Sequence, residues 1–123
     1  MSQSAFFTIV AILYVLLGIG HVVAPAEFLG GFGMNVELSG RMAARVVGAA
    51  TIALGIIYWA CRDAGPSRLF SAVLYGSIVE KAIIFCIALY AVQTGIFNSS
   101  GWVLVIMQIV LGAGFAYFAF GKR

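Results

Sequence analysis

The sequence predicts an all-α integral membrane protein, a four-helix bundle with up-down-up-down topology. Hydrophobic residues make up 63% of the 123-residue chain and charged residues only 9%, whereas a soluble domain is about 45–50% apolar and about 25% charged. Four apolar stretches, at 5–23, 40–61, 69–92 and 102–120, are long enough to cross a ~30 Å hydrocarbon layer at about 1.5 Å per residue. We therefore expect one domain, 1–123, of four membrane-spanning helices joined by short loops.

The first span, 5–23, is expected to end before Pro25, because the residue preceding a proline is pushed out of the α-helical region. We expect a retained helix rather than a signal peptide, since no Lys or Arg precedes the long apolar run. The next segment, 26–39, combines three glycines with apolar side chains. It is expected to lie at the membrane interface, with room for a short helical turn.

The second span is expected to begin at Ser39 as its N-cap, and Tyr58 and Trp59 near its other end suit an interfacial aromatic belt. The dipeptide Gly65-Pro66 in a tight polar loop separates the second span from the third. Ser99 or Ser100 is expected to cap the fourth span. The aromatic residues near the end of that span are expected to face lipid or the interface: Phe115, Tyr117, Phe118 and Phe120.

The basic residues indicate an orientation. Arg62, Arg68, Lys122 and Arg123 all fall on one side of the predicted topology. The positive-inside rule places that side, and with it both termini, in the cytoplasm. The sequence therefore predicts a multi-pass protein of the inner (plasma) membrane.

A glutamate and a lysine, Glu80 and Lys81, fall near the middle of the third span. A charged side chain at that depth costs at least about 2.5–3.5 kcal/mol. Three roles are open for this pair. It can act in function, as a proton or ion relay or as a counter-ion for a polar group. It can be a structural ion pair that fixes helix register, or it can contact another subunit. Adjacent residues differ by about 100° around a helix, so Lys81 cannot face the same neighbour as Glu80.

Other polar residues in the spans can point toward the same interior. Arg45 is about one turn below the outer end of the second span, where Glu80, loop carbonyls or lipid phosphates could satisfy it. His21 near Pro25 also has a structural interpretation as a hydrogen-bonded residue at a helix end. The candidate intramembrane polar site comprises Glu80, Lys81, Arg45, His21, Tyr14, Thr51 and Gln108.

Small residues at intervals of four suggest close helix packing. Gly40, Ala44 and Gly48 form one such ridge on the second span, and Gly112 and Ala116 form another on the fourth. Ridges of this kind let membrane helices approach closely. They predict an interaction with another helix, within the chain or in a second subunit.

Several functional classes lack their signature in this sequence. With one histidine and no carboxylate cluster, the sequence predicts no metal site. It also lacks a nucleophile constellation, a phosphate-binding loop and a pair of haem-binding histidines, so no motif in it indicates catalysis or a cofactor. No basic run with interleaved aromatics is present, which excludes nucleic-acid binding. Cys61 and Cys86 are expected at different depths, as free thiols.

A series of short motifs runs through residues 16–55: Leu17-Gly18-x-Gly20-His21, then Pro25 and Phe28-Leu29, then Gly31-x-Gly33-Met34, then Arg45-x-x-Gly48 and Leu54-Gly55. In these motifs the chain resembles the DoxX-like family of small bacterial four-helix membrane proteins. The resemblance implies the four-helix fold. Because DoxX-like relatives have been linked to respiratory or redox membrane complexes, it also implies an accessory subunit by analogy. The third span, with Glu80, has no counterpart in it.

We therefore expect a small membrane protein that acts through helix packing, as an accessory or scaffold subunit of a larger membrane complex or as a homo-oligomer. Its partners are then membrane lipid and protein helices. Two alternatives remain open. One is a small proton- or ion-coupled transporter or channel that uses Glu80. The other is a membrane enzyme or lipid-binding protein with an outward pocket near His21 and Arg45.

Overall fold

The computed structural model describes residues 1–121, so that Lys122 and Arg123, used above to orient the chain, lie outside the described residues. Within 1–121 the regular structure is entirely helical. Four helices are long and apolar enough to cross a membrane, and one short helix, α2, lies between the first two of them. They are α1 (Gln3–Val23), α2 (Pro25–Gly30), α3 (Leu38–Cys61), α4 (Arg68–Gln93) and α5 (Gly101–Phe120). The predicted all-helical chain with four candidate spans is confirmed, and each span begins one or two residues earlier than expected.

The chain divides into two compact units, Met1–Asp63 and Ala64–Arg123. The first contains α1, α2 and α3, and the second contains α4 and α5.

Local capping explains where the helices of the first unit begin and end. The Ser2 side chain accepts a hydrogen bond from the Ala5 amide at 3.2 Å and caps α1. Pro25 terminates α1 and also opens α2, where the absence of an amide hydrogen costs nothing. Glu37, extended and without a side-chain capping bond, precedes α3. The expected cap, Ser39, is wrong, because the helix has already begun at Leu38.

Close backbone packing joins α1 to α3. A Cβ added to Gly48 would lie 2.7 Å from the Gly18 carbonyl oxygen, and one added to Gly55 would lie 3.1 Å from the Ala11 carbonyl oxygen. These two contacts show that the helices run antiparallel. Gly48 and Gly55 are therefore positions where a side chain would force α1 away from α3.

Aromatic rings fill the core of the first unit. Tyr58 is 1% exposed, and its ring centroid lies 5.1 Å from that of Tyr14 and 6.1 Å from that of Phe7, both in edge-on geometry. The expectation that Tyr58 belongs to an interfacial belt is therefore wrong. Its neighbour Trp59, 47% exposed, faces outward.

The second unit is an antiparallel helical hairpin. Ser67 caps α4 by accepting a hydrogen bond from the Phe70 amide at 3.0 Å, whereas Ser100 precedes α5 without a side-chain capping bond. Gly95, with φ of +80°, sits in the turn between the helices, in a conformation that favours glycine. Gly101 packs against Val92 near this turn.

The face of α5 that packs against α4 was only partly predicted. Phe115 is 0% exposed, so the expectation that it faces lipid or the interface is wrong. Tyr117 and Phe120, placed in the same group by sequence, are exposed. The buried face of α5 carries Val105, Gln108, Leu111, Phe115 and Ala119.

Candidate functional site

The two charged residues in the middle of α4 form an ion pair with each other. The Lys81 ammonium group donates a hydrogen bond to the Glu80 carboxylate. The Lys81 side chain is 2% exposed, and that of Glu80 is 27% exposed. The pair therefore neutralises two charges at mid-span, with the cation inside the protein and the anion near its surface.

Lys81 is enclosed by α5. A Cβ added to Gly112 would lie 3.4 Å from the Lys81 Cβ, and the Lys81 ammonium nitrogen lies 5.7 Å from the centre of the Phe115 ring. The lysine stem therefore lies against α5 at Gly112, and the face of Phe115 attracts the charge. A cation over an aromatic ring contributes about 2 kcal/mol when both are desolvated.

A second polar group, Gln108, lies on the same face of α5 as Gly112, one turn nearer the start of the helix. It is 3% exposed, and its Oε1 has no hydrogen-bond partner among residues 1–121. An amide oxygen buried without a partner costs roughly 1–3 kcal/mol. It is also an acceptor ready for a water molecule or a polar ligand.

Ser77 is the third buried polar side chain among residues 64–121, after Lys81 and Gln108, and it forms a hydrogen bond within its own helix. The Ser77 hydroxyl, 5% exposed, donates to the Val73 carbonyl oxygen at 2.6 Å. This bond leaves Ser77 as a helix-packing residue one turn below Lys81. Among residues 64–121, the buried side-chain acceptor without a hydrogen-bond donor is therefore the Gln108 amide oxygen.

In the first unit, the predicted polar residues mostly bond to their own helices. His21 Nδ1 lies 2.8 Å from the Leu17 carbonyl oxygen, and its ring lies against Phe28 with centroids 4.4 Å apart. The Thr51 hydroxyl donates to the Val47 carbonyl oxygen at 2.8 Å. These geometries are those of structural side chains.

Tyr14 and Arg45 complete the predicted set and have opposite surroundings. Tyr14 is buried against Tyr58 in the aromatic core. Arg45 is exposed, with Nη1 4.0 Å from the Met42 sulfur. The predicted site is thus distributed over the two units: Glu80, Lys81 and Gln108 in one, and Tyr14, His21, Arg45 and Thr51 in the other.

The predicted packing residues have different surroundings as well. Gly48 contacts α1, Ala44 is buried, and a Cβ on Gly40 would meet the Val36 side chain of the preceding loop at 2.4 Å. Gly112 accommodates Lys81, and Ala116 is half-buried. Sequence reasoning missed Gly55 and the contact between Gly18 and Gly48, although all three are glycines inside apolar helices, which is itself a signal of close packing.

The free thiols and the acidic residues do not form a metal centre in the described part of the chain. Within 1–121, no three His, Cys, Asp or Glu side chains come together as ligands, and Cys61 and Cys86 are both free. The chain matches no known family model, no curated protein and no solved structure. Its function must therefore be argued from its own geometry.

Proposed function

We propose that this chain is a multi-pass protein of the inner (plasma) membrane that acts through helix packing, as an accessory or scaffold subunit or a homo-oligomer. The observation that carries the proposal is the Glu80–Lys81 pair, whose cation is buried against α5. Paired in this way, the two residues fix how α4 sits on α5 rather than leaving a carboxylate poised for transport. This role agrees with the accessory function that the DoxX-like resemblance implies.

The outer surface of the helices supports the same proposal. Large apolar side chains are exposed along every span, including Val46, Val79, Ile83 and Ile106. Such surfaces suit lipid tails and neighbouring transmembrane helices equally, and membrane helices associate by packing rather than by hydrophobic burial. A bundle of four spans with both termini in the cytoplasm is the topology that we propose for the functional protein.

The experiment compares Glu80→Gln, Lys81→Met and the double variant, with Val79→Ala as an exposed control on the same helix. We expect each single variant to destabilise the protein, because it leaves one charge at mid-span without its partner, and the double variant to recover most of the loss. Single-molecule photobleaching in lipid vesicles measures the number of subunits. A chain that stays monomeric on dilution into vesicles, and in native membrane extracts, contradicts the proposal.

The topology has its own test. In a variant without Cys61 and Cys86, a single cysteine at position 67 should be protected from a membrane-impermeant maleimide in intact cells. A cysteine at position 99 should react. Reaction at position 67 with protection at 99 would reverse the proposed orientation.

A second candidate function is favoured by Gln108. Its unpartnered amide oxygen, buried in the same hairpin that carries Glu80, is an acceptor that a polar solute or an ion could use. A small proton- or ion-coupled transporter predicts that Glu80→Gln preserves stability and subunit number but abolishes ion flux into vesicles. It also predicts a carboxyl infrared signal that titrates between about pH 5 and 8 and is lost in the variant.

A further inference from the structure

The first unit carries an apolar groove along the interface between α1 and α3. Ala11 and Gly55 form its floor, because both are small and the helices touch there. Ile12 and Leu16 form one wall, and Ile56 and Trp59 form the other. The wall residues are all exposed, and the groove holds about 280 Å³. We refer to it as the α1–α3 groove.

One end of the groove is marked by a cation. The guanidinium carbon of Arg62 lies 4.1 Å from the centre of the Trp59 ring, and Arg62 Nη1 donates to the Trp59 carbonyl oxygen at 2.8 Å. Stacking on the indole and a hydrogen bond to the backbone hold the guanidinium beside the last turn of α3. A positive charge is therefore held beside Trp59, at one end of the apolar groove.

The depth of the groove matches one leaflet. Gln3 Nε2 donates to the Cys61 carbonyl oxygen at 3.3 Å, so the start of α1 and the end of α3 are level. With a rise of about 1.5 Å per residue, Trp59 lies about 3 Å and Leu16 about 20 Å from that level, so the groove is about 17 Å long. Half of a hydrocarbon core is about 15 Å thick, so the groove can hold one extended acyl chain.

We propose that the α1–α3 groove binds one acyl chain of an anionic phospholipid of the surrounding bilayer, whose phosphate pairs with Arg62. An acyl chain fits because the lining is wholly apolar, and an anionic headgroup fits because the charge at the mouth is positive. Asp63 is the present partner of Arg62, with Nε and Oδ2 3.3 Å apart. Since the Asp63 side chain is 70% exposed, this surface pair is weak and a phosphate can replace it.

The site differs in place and in role from the functions proposed above. It uses none of the residues of the α4–α5 hairpin, and neither His21 nor Arg45 lines it. Loss of lipid selectivity would therefore leave the subunit proposal intact, and a monomeric protein could still bind lipid here.

Tryptophan quenching by brominated lipid tests the proposal. The chain has two tryptophans, Trp59 and Trp102, which are 47% and 46% exposed. Variants that keep one of them, made by Trp102→Phe or Trp59→Phe, give a reporter in the groove wall and a matched reporter that is not part of the groove lining. Each is placed in phosphatidylcholine vesicles that contain an equal fraction of brominated phosphatidylglycerol or brominated phosphatidylcholine.

We expect Trp59 to show about a fivefold preference for phosphatidylglycerol, the equivalent of ~1 kcal/mol for one basic residue at an anionic lipid. Trp102 should show no preference. Arg62→Gln should remove the preference at Trp59 for phosphatidylglycerol. Arg68→Gln, which removes one positive charge from the start of α4, should keep that preference. Asp63→Asn should increase the preference at Trp59, because it removes the carboxylate that competes with the phosphate for Arg62.

A further variant separates the groove from the headgroup contact. Ile56→Phe narrows the groove from an exposed wall position. It should lower the preference of Trp59 for phosphatidylglycerol, because the acyl chain no longer fits in the groove below Arg62. Equal quenching of Trp59 by the two lipids would overturn the proposal. So would equal losses from Arg62→Gln and Arg68→Gln, which would show general surface charge, or an unchanged preference in Ile56→Phe.

Discussion

Replacing Gly48 with alanine tests how much of the stability depends on the close approach of α1 and α3. A Cβ at position 48 would lie 2.7 Å from the Gly18 carbonyl oxygen and 2.8 Å from both the His21 Cβ and the Val22 Cγ2. The first two of these atoms belong to the backbone or are directly bonded to it. The helices must therefore move apart by about 0.7 Å to restore an ordinary contact of 3.4 Å.

The expected magnitude follows from two opposing terms. Overpacking an interface costs about 1–3 kcal/mol, whereas alanine in a helix is favoured over glycine by up to about 1 kcal/mol. We expect a net destabilisation of ~1–2 kcal/mol for Gly48→Ala. Gly76 is the matched control, since it is exposed within α4 and nothing lies within 4 Å of a Cβ there. Gly76→Ala should be neutral or slightly stabilising.

Unfolding in mixed micelles with a rising fraction of sodium dodecyl sulfate, followed by far-ultraviolet circular dichroism, measures the difference. Gly18→Ala and the double variant complete the cycle. Because Gly18 and Gly48 face each other, the second substitution should cost less than the first. If Gly48→Ala unfolds at the same detergent fraction as Gly76→Ala, the contact between the two backbones is not a source of stability and the reasoning is refuted.

Three further substitutions are checked by the same assay. Gln108→Leu should stabilise the protein by roughly 1–3 kcal/mol, because it removes a buried amide oxygen that has no hydrogen-bond partner. A lower unfolding midpoint for this variant would contradict that reasoning. Ser67→Ala should lower the free energy of unfolding by about 0.5–2 kcal/mol, because it removes the side-chain cap of α4. Ser100→Ala removes no capping bond and should leave the stability unchanged. Equal effects of the two substitutions would refute the capping argument. Tyr58→Ala should lower the free energy of unfolding by at least ~2 kcal/mol through lost packing, while substitution of the exposed Trp59 by alanine should lower it little. A larger loss for Trp59→Ala than for Tyr58→Ala would contradict the assigned core.

The spans could be predicted from the sequence because length and hydropathy alone define a helix that crosses a bilayer. The helix starts were less accurate, since Ser39 has a capping side chain but α3 begins one residue before it, at Leu38. A helix begins where the backbone changes from an extended to a helical conformation. Glu37 is extended and is therefore the residue before α3, but the sequence alone does not show this backbone conformation.

The faces of the spans were harder to predict than their positions. In a soluble helix the buried face is apolar and the exposed face is polar, but in a membrane both faces are apolar. The sequence therefore could not distinguish the buried Tyr58 from the exposed Trp59, or the buried Phe115 from the exposed Tyr117. For the same reason it identified Glu80 and Lys81 as a mid-span pair without showing that the lysine is the buried member.

The enclosure of Lys81 by α5 has a consequence for biogenesis. Ribosomes synthesise α4 before α5, so Lys81 leaves the tunnel before Gly112 and Phe115 leave it to surround the lysine. A lone α4 would carry its lysine into lipid, at a cost that the pair with Glu80 offsets only in part. We therefore expect the insertion machinery to retain α4 until α5 arrives, so that the two helices enter the bilayer together as a hairpin.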